Sequence, residues 1–312
     1  MTTHRIRSAP PIRALSLLLA TCLASLLAAS PARADIAIDS RTARVDGMNL
    51  HYLVAGNAPE TVILIHGYAQ ASQMWRAAAI PELAKRFTVI APDLPGFGDS
   101  DIPADGLDMK TAAVRIHDLA RALHVTRARV VGHDIGLMVA YAYAAMYSKE
   151  VDKLALMDAF LPGVGEWLAY YHNPALWHFF FNGPTPEALV KGRERIYFEH
   201  FWNDFAADPK HSLGEDDRKL YAAQYARAGR MHAGWAYFAA FPQTAKDFAE
   251  LAKTRLAMPV LVIAGARAGG DFLVRQTQLV AANVTPLVLA ESGHWLIDEH
   301  PRETVDALAR FL

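Results

Sequence analysis

Apolar residues come in two rhythms along this chain, and the rhythm changes twice. Residues 43–54 alternate apolar and polar side chains around Asp46-Gly47, the pattern of a hairpin. Residues 61–65, 87–91, 129–131 and 151–157 are short, mostly apolar stretches that read as buried strands. Residues 111–123 carry apolar positions at helical spacing, and the small residues of 138–145 predict a closely packed helix. Strands alternating with helices predict an α/β fold: a mostly parallel sheet with helices on both faces. From 161 to 246 the strand runs stop. That stretch is rich in Trp, Phe, Tyr and His at helical spacing, which predicts an inserted helical cap. Residues 259–264 and 286–290 then return to runs read as buried strands. The core is therefore 35–160 and 247–312, and the cap is 161–246. An insertion after a sheet strand is well placed to cover a site at the sheet's carboxyl end.

The N-terminus follows a different pattern. Arg5, Arg7 and Arg13 precede an apolar run over 14–29 and then Ser30-Pro31-Ala32-Arg33-Ala34. A basic start, an apolar middle and an Ala-x-Ala end predict a secretory signal peptide over 1–34, cut after Ala34. The apolar run is short for a membrane span, so no stable membrane anchor is expected after cleavage. The predicted location is secreted or periplasmic.

Composition narrows the chemistry. The whole chain is 53% hydrophobic and 20% charged, an ordinary globular balance. Removing the four Arg of 1–34 from 31 basic residues leaves 27 against 32 acidic ones. With no basic tract, nucleic acid is not an expected partner. Cys22 is the single cysteine, so a mature chain has neither a disulfide nor a thiol nucleophile. The 13 His are scattered without metal-ligand spacing. Residues 265–270 lack the ending of a phosphate loop. No cofactor is expected.

The candidate chemistry centres on Gly132-His133-Asp134-Ile135-Gly136. A strand enters it and a helix leaves it, so one carboxylate stands on a sharp turn. The glycines permit the turn and a close helix, and the helix N-terminus favours the ionised carboxylate. Asp134 in this place reads either as a helix cap or as a nucleophile. An Asp nucleophile differs from a Ser in what it leaves behind. Attack of Ser on an alkyl carbon would leave an inert ether. Asp leaves an ester, whose carbonyl water can attack. Asp needs no base for its own attack. The base is needed for the water, and His294, in a loop after the last strand, is the candidate. A third residue must hold the imidazole, and both Asp158 and Asp271 end core strands.

His66-Gly67, Asp93-Leu94-Pro95-Gly96-Phe97-Gly98, Gly132 to Gly136 and Gly293-His294-Trp295 together resemble the epoxide hydrolase and dehalogenase branch of the α/β-hydrolases. The likeness is greatest to the secreted Cif-type bacterial epoxide hydrolases, where it extends to residues 82–93 and 250–256. It implies an α/β-hydrolase fold with a cap and an activity that opens epoxides to vicinal diols through an aspartyl ester. It implies an oxyanion hole from the backbone N–H groups of Tyr68 and Ile135, with His66 in a structural role. Cif-type proteins place the acid where Asp158 stands and other epoxide hydrolases where Asp271 stands; Asp158 is favoured. The resemblance assigns His178 and Tyr237 as donors to the epoxide oxygen, with Tyr170, Tyr171 and His172 as cap neighbours. Haloalkane dehalogenases carry Trp after the nucleophile, and haloacid-cleaving relatives carry Arg there and a Trp after the cap His. Here these residues are Ile135 and Phe179. The expected partners are a small apolar epoxide and water, with a homodimer implied by the resemblance alone. The rivals are a dehalogenase of the same fold and a binding or virulence protein that retains the fold without using its chemistry.

Overall fold

The computed structural model of the protein describes residues 1–2 and 36–312. The predicted signal peptide lies almost wholly outside the described residues. Among those described, no helix is long and apolar enough to cross a membrane.

Eight strands form one sheet: β1 (Asp39–Val45), β2 (Met48–Ala55), β3 (Thr61–Ile65), β4 (Thr88–Pro92), β5 (Ala128–His133), β6 (Val151–Met157), β7 (Leu256–Gly265) and β8 (Ala281–Leu289). Their spatial order is β1-β2-β4-β3-β5-β6-β7-β8. The first two pairings are antiparallel and the rest parallel. The hairpin closes where the alternation predicted it. Val45 pairs with Met48, and Asp46 and Gly47 both take positive φ, as a tight two-residue turn demands.

The mostly apolar stretches are explained by burial on both sides of the sheet. Successive residues of a strand point to opposite faces. Ile63, Val130, Leu154 and Val260 enter one hydrophobic cluster, and their chain neighbours Leu64, Val131, Ala155 and Leu261 enter a second. The first cluster contains the apolar sides of helices Met109–Ala122 and Ile135–Met146; the second contains Trp75 and residues of Pro301–Phe311. Met109–Ala122 starts two residues earlier than its periodicity suggested, because the Asp108 side chain caps it by accepting the Thr111 N–H at 2.8 Å.

One strand differs from its prediction. Residues 286–290 read as a buried run, but β8 is the edge of the sheet and is largely exposed over 282–288. Its side chains have a neighbouring strand on one side only. A proline inside it, Pro286, is tolerable for the same reason.

Between β6 and β7 the chain is helical throughout: Trp167–Tyr171, the 3-10 turns Pro174–Phe179 and Pro209–His211, Pro184–Val190, Glu194–Asp204, Glu215–Tyr225, Arg230–Ala239 and Phe241–Leu251. Phe198, Phe201, Trp202, Trp235, Phe238 and Phe241 are buried and join the first cluster. The aromatic stretch is thus held by packing on the carboxyl ends of β3 and β5.

Candidate active site

Asp134 sits alone between the end of β5 and the start of helix Ile135–Met146. Its backbone has φ 54° and ψ −129°, a conformation that a residue with a Cβ adopts only under constraint. The two flanking glycines supply the constraint. A Cβ on Gly132 would collide with the backbone of Gly136, and a Cβ on Gly136 with the carbonyl of His66. The turn therefore lifts the Asp134 side chain off the sheet.

The two carboxylate oxygens are not equivalent. Oδ1 accepts the Tyr68 N–H at 2.7 Å, and the nearby Ile135 N–H also favours the charged carboxylate. Oδ2 lies 3.6 Å from Nε2 of His294, beyond hydrogen-bond range. Burial pushes the Asp134 carboxyl up, while His294 and the two N–H donors act against that shift. The loop that carries Tyr68 is fixed from both sides. Its Ala69 N–H donates to the Tyr225 hydroxyl at 2.9 Å, and the Trp202 indole donates to the Ala69 carbonyl at 3.2 Å. His66, fully buried, accepts the Leu94 N–H at Nε2 and so donates from Nδ1 to the Gly67 carbonyl at 2.8 Å. Its role is structural.

His294 faces Asp134 with one nitrogen and Asp158 with the other. Its Nδ1 is 2.7 Å from Asp158 Oδ2, and Asp158 Oδ1 accepts the Gly265 N–H at 2.9 Å. Burial alone would lower the His294 pKa; the Asp158 hydrogen bond and the charges of Asp158 and Asp134 outweigh it and hold it above 6.5. Asp271 is elsewhere. It stands exposed before helix Phe272–Val280 and pairs with Arg275.

Two residues that the sequence did not single out hold the His294 loop. Glu299 accepts the N–H groups of Gly293 and Trp295 at 3.1 Å each, and that of Ala207 in the cap at 2.8 Å. The His133 ring donates from Nε2 to the His294 carbonyl at 2.9 Å. Glu299 follows His294 by five residues and His133 precedes the nucleophile, but neither spacing signals a contact.

Asp134, Ile135 and His294 open onto a cavity of about 200 Å³ whose other walls include Phe160, Tyr170, His178, Phe179, Phe238 and Phe241. His178 is buried, and its Nδ1 has no hydrogen-bond partner. Burial pulls its pKa down to about 3, so it is a neutral imidazole. Tyr237 requires a correction. It does not line the cavity; its hydroxyl donates to the Pro95 carbonyl at 3.0 Å, and its ring packs on Phe97. Adjacent residues on a helix diverge by about 100°, and it is Phe238 that faces the cavity. Tyr171 packs on Phe179 and Phe180, and His172 is exposed. Arg267 also reaches the cavity wall, as a cation that the sequence did not place there; it is exposed and pairs with Glu291.

His51, Asp93 and Asp99 could offer three ligand atoms to a metal. Each already has partners: Asp93 binds His51 at 2.7 Å and the N–H groups of Ser72 and Asp99, while Asp99 pairs with Arg227. The group acts as the internal bracing of the 93–100 turn.

A carboxylate on a strained strand-to-helix turn, a backbone donor on one of its oxygens and an Asp-backed imidazole near the other match the family comparison. The alpha/beta hydrolase fold family covers residues 60–301. The chain belongs to the α/β-hydrolases. It is 30% identical to the soluble epoxide hydrolase of Corynebacterium sp. (strain C12), over 88% of this chain and 97% of the relative. The crystal structure of Cfl2 from Burkholderia cenocepacia superposes with a TM-score of 0.83 at 34% identity, covering 88% of this chain and 95% of that one. A fluoroacetate dehalogenase from Burkholderia sp. is 25% identical over 88% of this chain and 93% of its own length. This α/β-hydrolase falls in the epoxide hydrolase branch, and its site is that of a hydrolase.

Proposed function

We propose that the protein hydrolyses small apolar epoxides to vicinal diols through an ester on Asp134. The observation that carries this reading is the inequality of the Asp134 oxygens. Oδ1 is held by the Tyr68 N–H, and Oδ2 is left to attack a carbon in the cavity. The chemistry then divides in two. Attack by Oδ2 forms the ester as the epoxide C–O bond breaks, with the neutral His178 donating to the departing oxygen. His294, steadied by Asp158, takes a proton from water, which adds to the ester carbonyl. The Tyr68 and Ile135 N–H groups stabilise the resulting oxyanion, an effect worth about 3–4 kcal/mol per donor in other hydrolases.

The lining favours a neutral substrate. Most of its wall is aromatic or aliphatic, and no cation or indole follows the nucleophile. A dehalogenase would need donors for a halide; release of fluoride or chloride without epoxide turnover would favour that activity.

One experiment tests the covalent route. A single turnover in water enriched in heavy oxygen should place the label in the Asp134 peptide, read by mass spectrometry. Label found only in the diol would reject it. We also read residues 1–34 as an export signal; a secreted form beginning at Asp35 would support that reading, and retention of the full chain in the cytoplasm would overturn it.

A further inference from the structure

We propose that the phenol of Tyr170, in the wall of the same cavity, is the second proton donor to the departing epoxide oxygen. This inference rests on the reading of the site as an epoxide hydrolase.

The need arises from the leaving group. An opened epoxide is a strongly basic alkoxide, which needs proton donation as it forms. His178, being neutral, offers a single N–H. The residue at the cavity on helix Arg230–Ala239 is Phe238, which offers none, and the Tyr237 hydroxyl is committed to Pro95. The remaining polar groups of the lining are engaged or unsuited. Asp134 and His294 have their own tasks, and Asp204 accepts from His200. Asn173 offers only a carboxamide N–H, which is too weak an acid to give up its proton, and the exposed Arg267 pairs with Glu291.

Tyr170 is different. Its ring is fixed, 5.2 Å from Phe272 in a stacked arrangement and 4.9 Å from Phe160. Its hydroxyl forms no hydrogen bond among the described residues, although the residue is mostly buried and lines the cavity. It points toward the catalytic acid, 3.7 Å from where a Cβ on Gly269 would stand, a point that is itself 4.0 Å from Asp158 Oδ1. The hydroxyl is not sealed in the protein: the partly buried Tyr170 opens onto the cavity, where a ligand oxygen can accept its proton. Burial and the negative charges of Asp158 and Asp134 push the phenol up, so it stays protonated. Asp134, His178, His294 and Tyr170 all line one cavity of about 200 Å³.

The proton accounting closes without any other reagent. In ring opening the Asp134 Oδ2–carbon bond forms, the epoxide C–O bond breaks, and the Tyr170 proton passes to the freed oxygen. In hydrolysis one water proton goes to His294, and the hydroxide adds to the ester carbonyl. Collapse releases the second diol oxygen, which takes the proton from His294. The other water proton, left on the Asp134 carboxyl, returns to the Tyr170 phenolate. The sum is epoxide plus water giving diol.

The test separates the two steps. Ester formation and ester hydrolysis are followed in one transient by rapid quench with styrene oxide, quantifying the Asp134 adduct by mass spectrometry. Tyr170→Phe keeps the ring packing and should slow ester formation about 100-fold or more, while hydrolysis of the formed ester keeps its rate. Adding Phe238→Tyr to that variant should restore part of the loss, because it returns a phenol to the cavity lining. Ester formation at the unmodified rate in Tyr170→Phe overturns the proposal while leaving the epoxide hydrolase reading intact. Equal slowing of both steps overturns it also, as the mark of a structural role. If the unmodified protein forms no adduct with styrene oxide or an aliphatic epoxide, the function reading falls and this proposal falls with it.

Discussion

Asp158 and His294 lie 136 residues apart in the chain and 2.7 Å apart in the fold. That bond raises the imidazole's proton affinity at the position where the proposed mechanism needs a base. The imidazole must be neutral to accept a proton from water. A raised pKa therefore puts the acid limb of ester hydrolysis above pH 6.5. Asp158→Asn should move the limb downward and slow hydrolysis by about 10²–10⁴-fold, with the ester accumulating. Stopped-flow rates from pH 5 to 9 would show both changes. A limb that stays in place in the variant would contradict the assigned role.

The two cap residues that the resemblance names as donors, Tyr237 and His178, should respond in opposite ways. Tyr237→Phe removes a buried hydrogen bond to Pro95 and should cost about 1 kcal/mol of stability with kcat changed less than about twofold. His178→Phe should leave stability nearly unchanged and slow ester formation by about 100-fold or more. Urea unfolding alongside steady-state kinetics distinguishes these outcomes. A large kcat loss in Tyr237→Phe would return that residue to the site.

The elbow leaves no room for an added methyl group. Gly136→Ala drives a Cβ into the His66 carbonyl, at the root of the loop that carries Tyr68. We expect a loss of about 1–3 kcal/mol or more and a weakened oxyanion hole, seen together as a lower Tm and slower ester hydrolysis. Unchanged values for both would mean that the helix can shift without consequence.

Asp298 gives stability a pH dependence of its own. It accepts the Gln70 side-chain N–H at 3.0 Å, and burial pushes its carboxyl up to about 7. The folded value lies above the unfolded one. Its stabilising contribution is thus complete below about pH 4 and is lost as pH rises through about 7. Asp298→Asn should flatten the fall in Tm between pH 5 and pH 8, measured by thermal scans of both proteins. Equal slopes would place the titration elsewhere.

How much of this could be read from the residues depends on whether local pattern or tertiary phase decides the matter. The hairpin, the strand runs at 61–65 and 151–157 and the turn at Asp134 are local, and alternation, apolar blocks and flanking glycines mark them. The choice between Asp158 and Asp271 is not local. Both end core strands, and only the packing of β6 beside β7 turns Asp158 toward the imidazole. Tyr237 and Phe238 show the same limit on a smaller scale. The helix was legible, but its rotation was not, since both residues are aromatic and either could face inward. Glu299 lies in no motif, and the place of His133 inside the nucleophile turn does not signal its bond to the His294 loop; both act on backbone groups that only the fold brings near.

β8 carries Pro286 in its middle and forms the sheet's outer margin. A proline there cannot offer an amide hydrogen to a newcomer, so the free row of donors is interrupted halfway along. That margin is a poor seam for joining one molecule's sheet to another's. If copies of this chain join sheet to sheet, β1, the margin at the opposite end, is the one without a proline in its way.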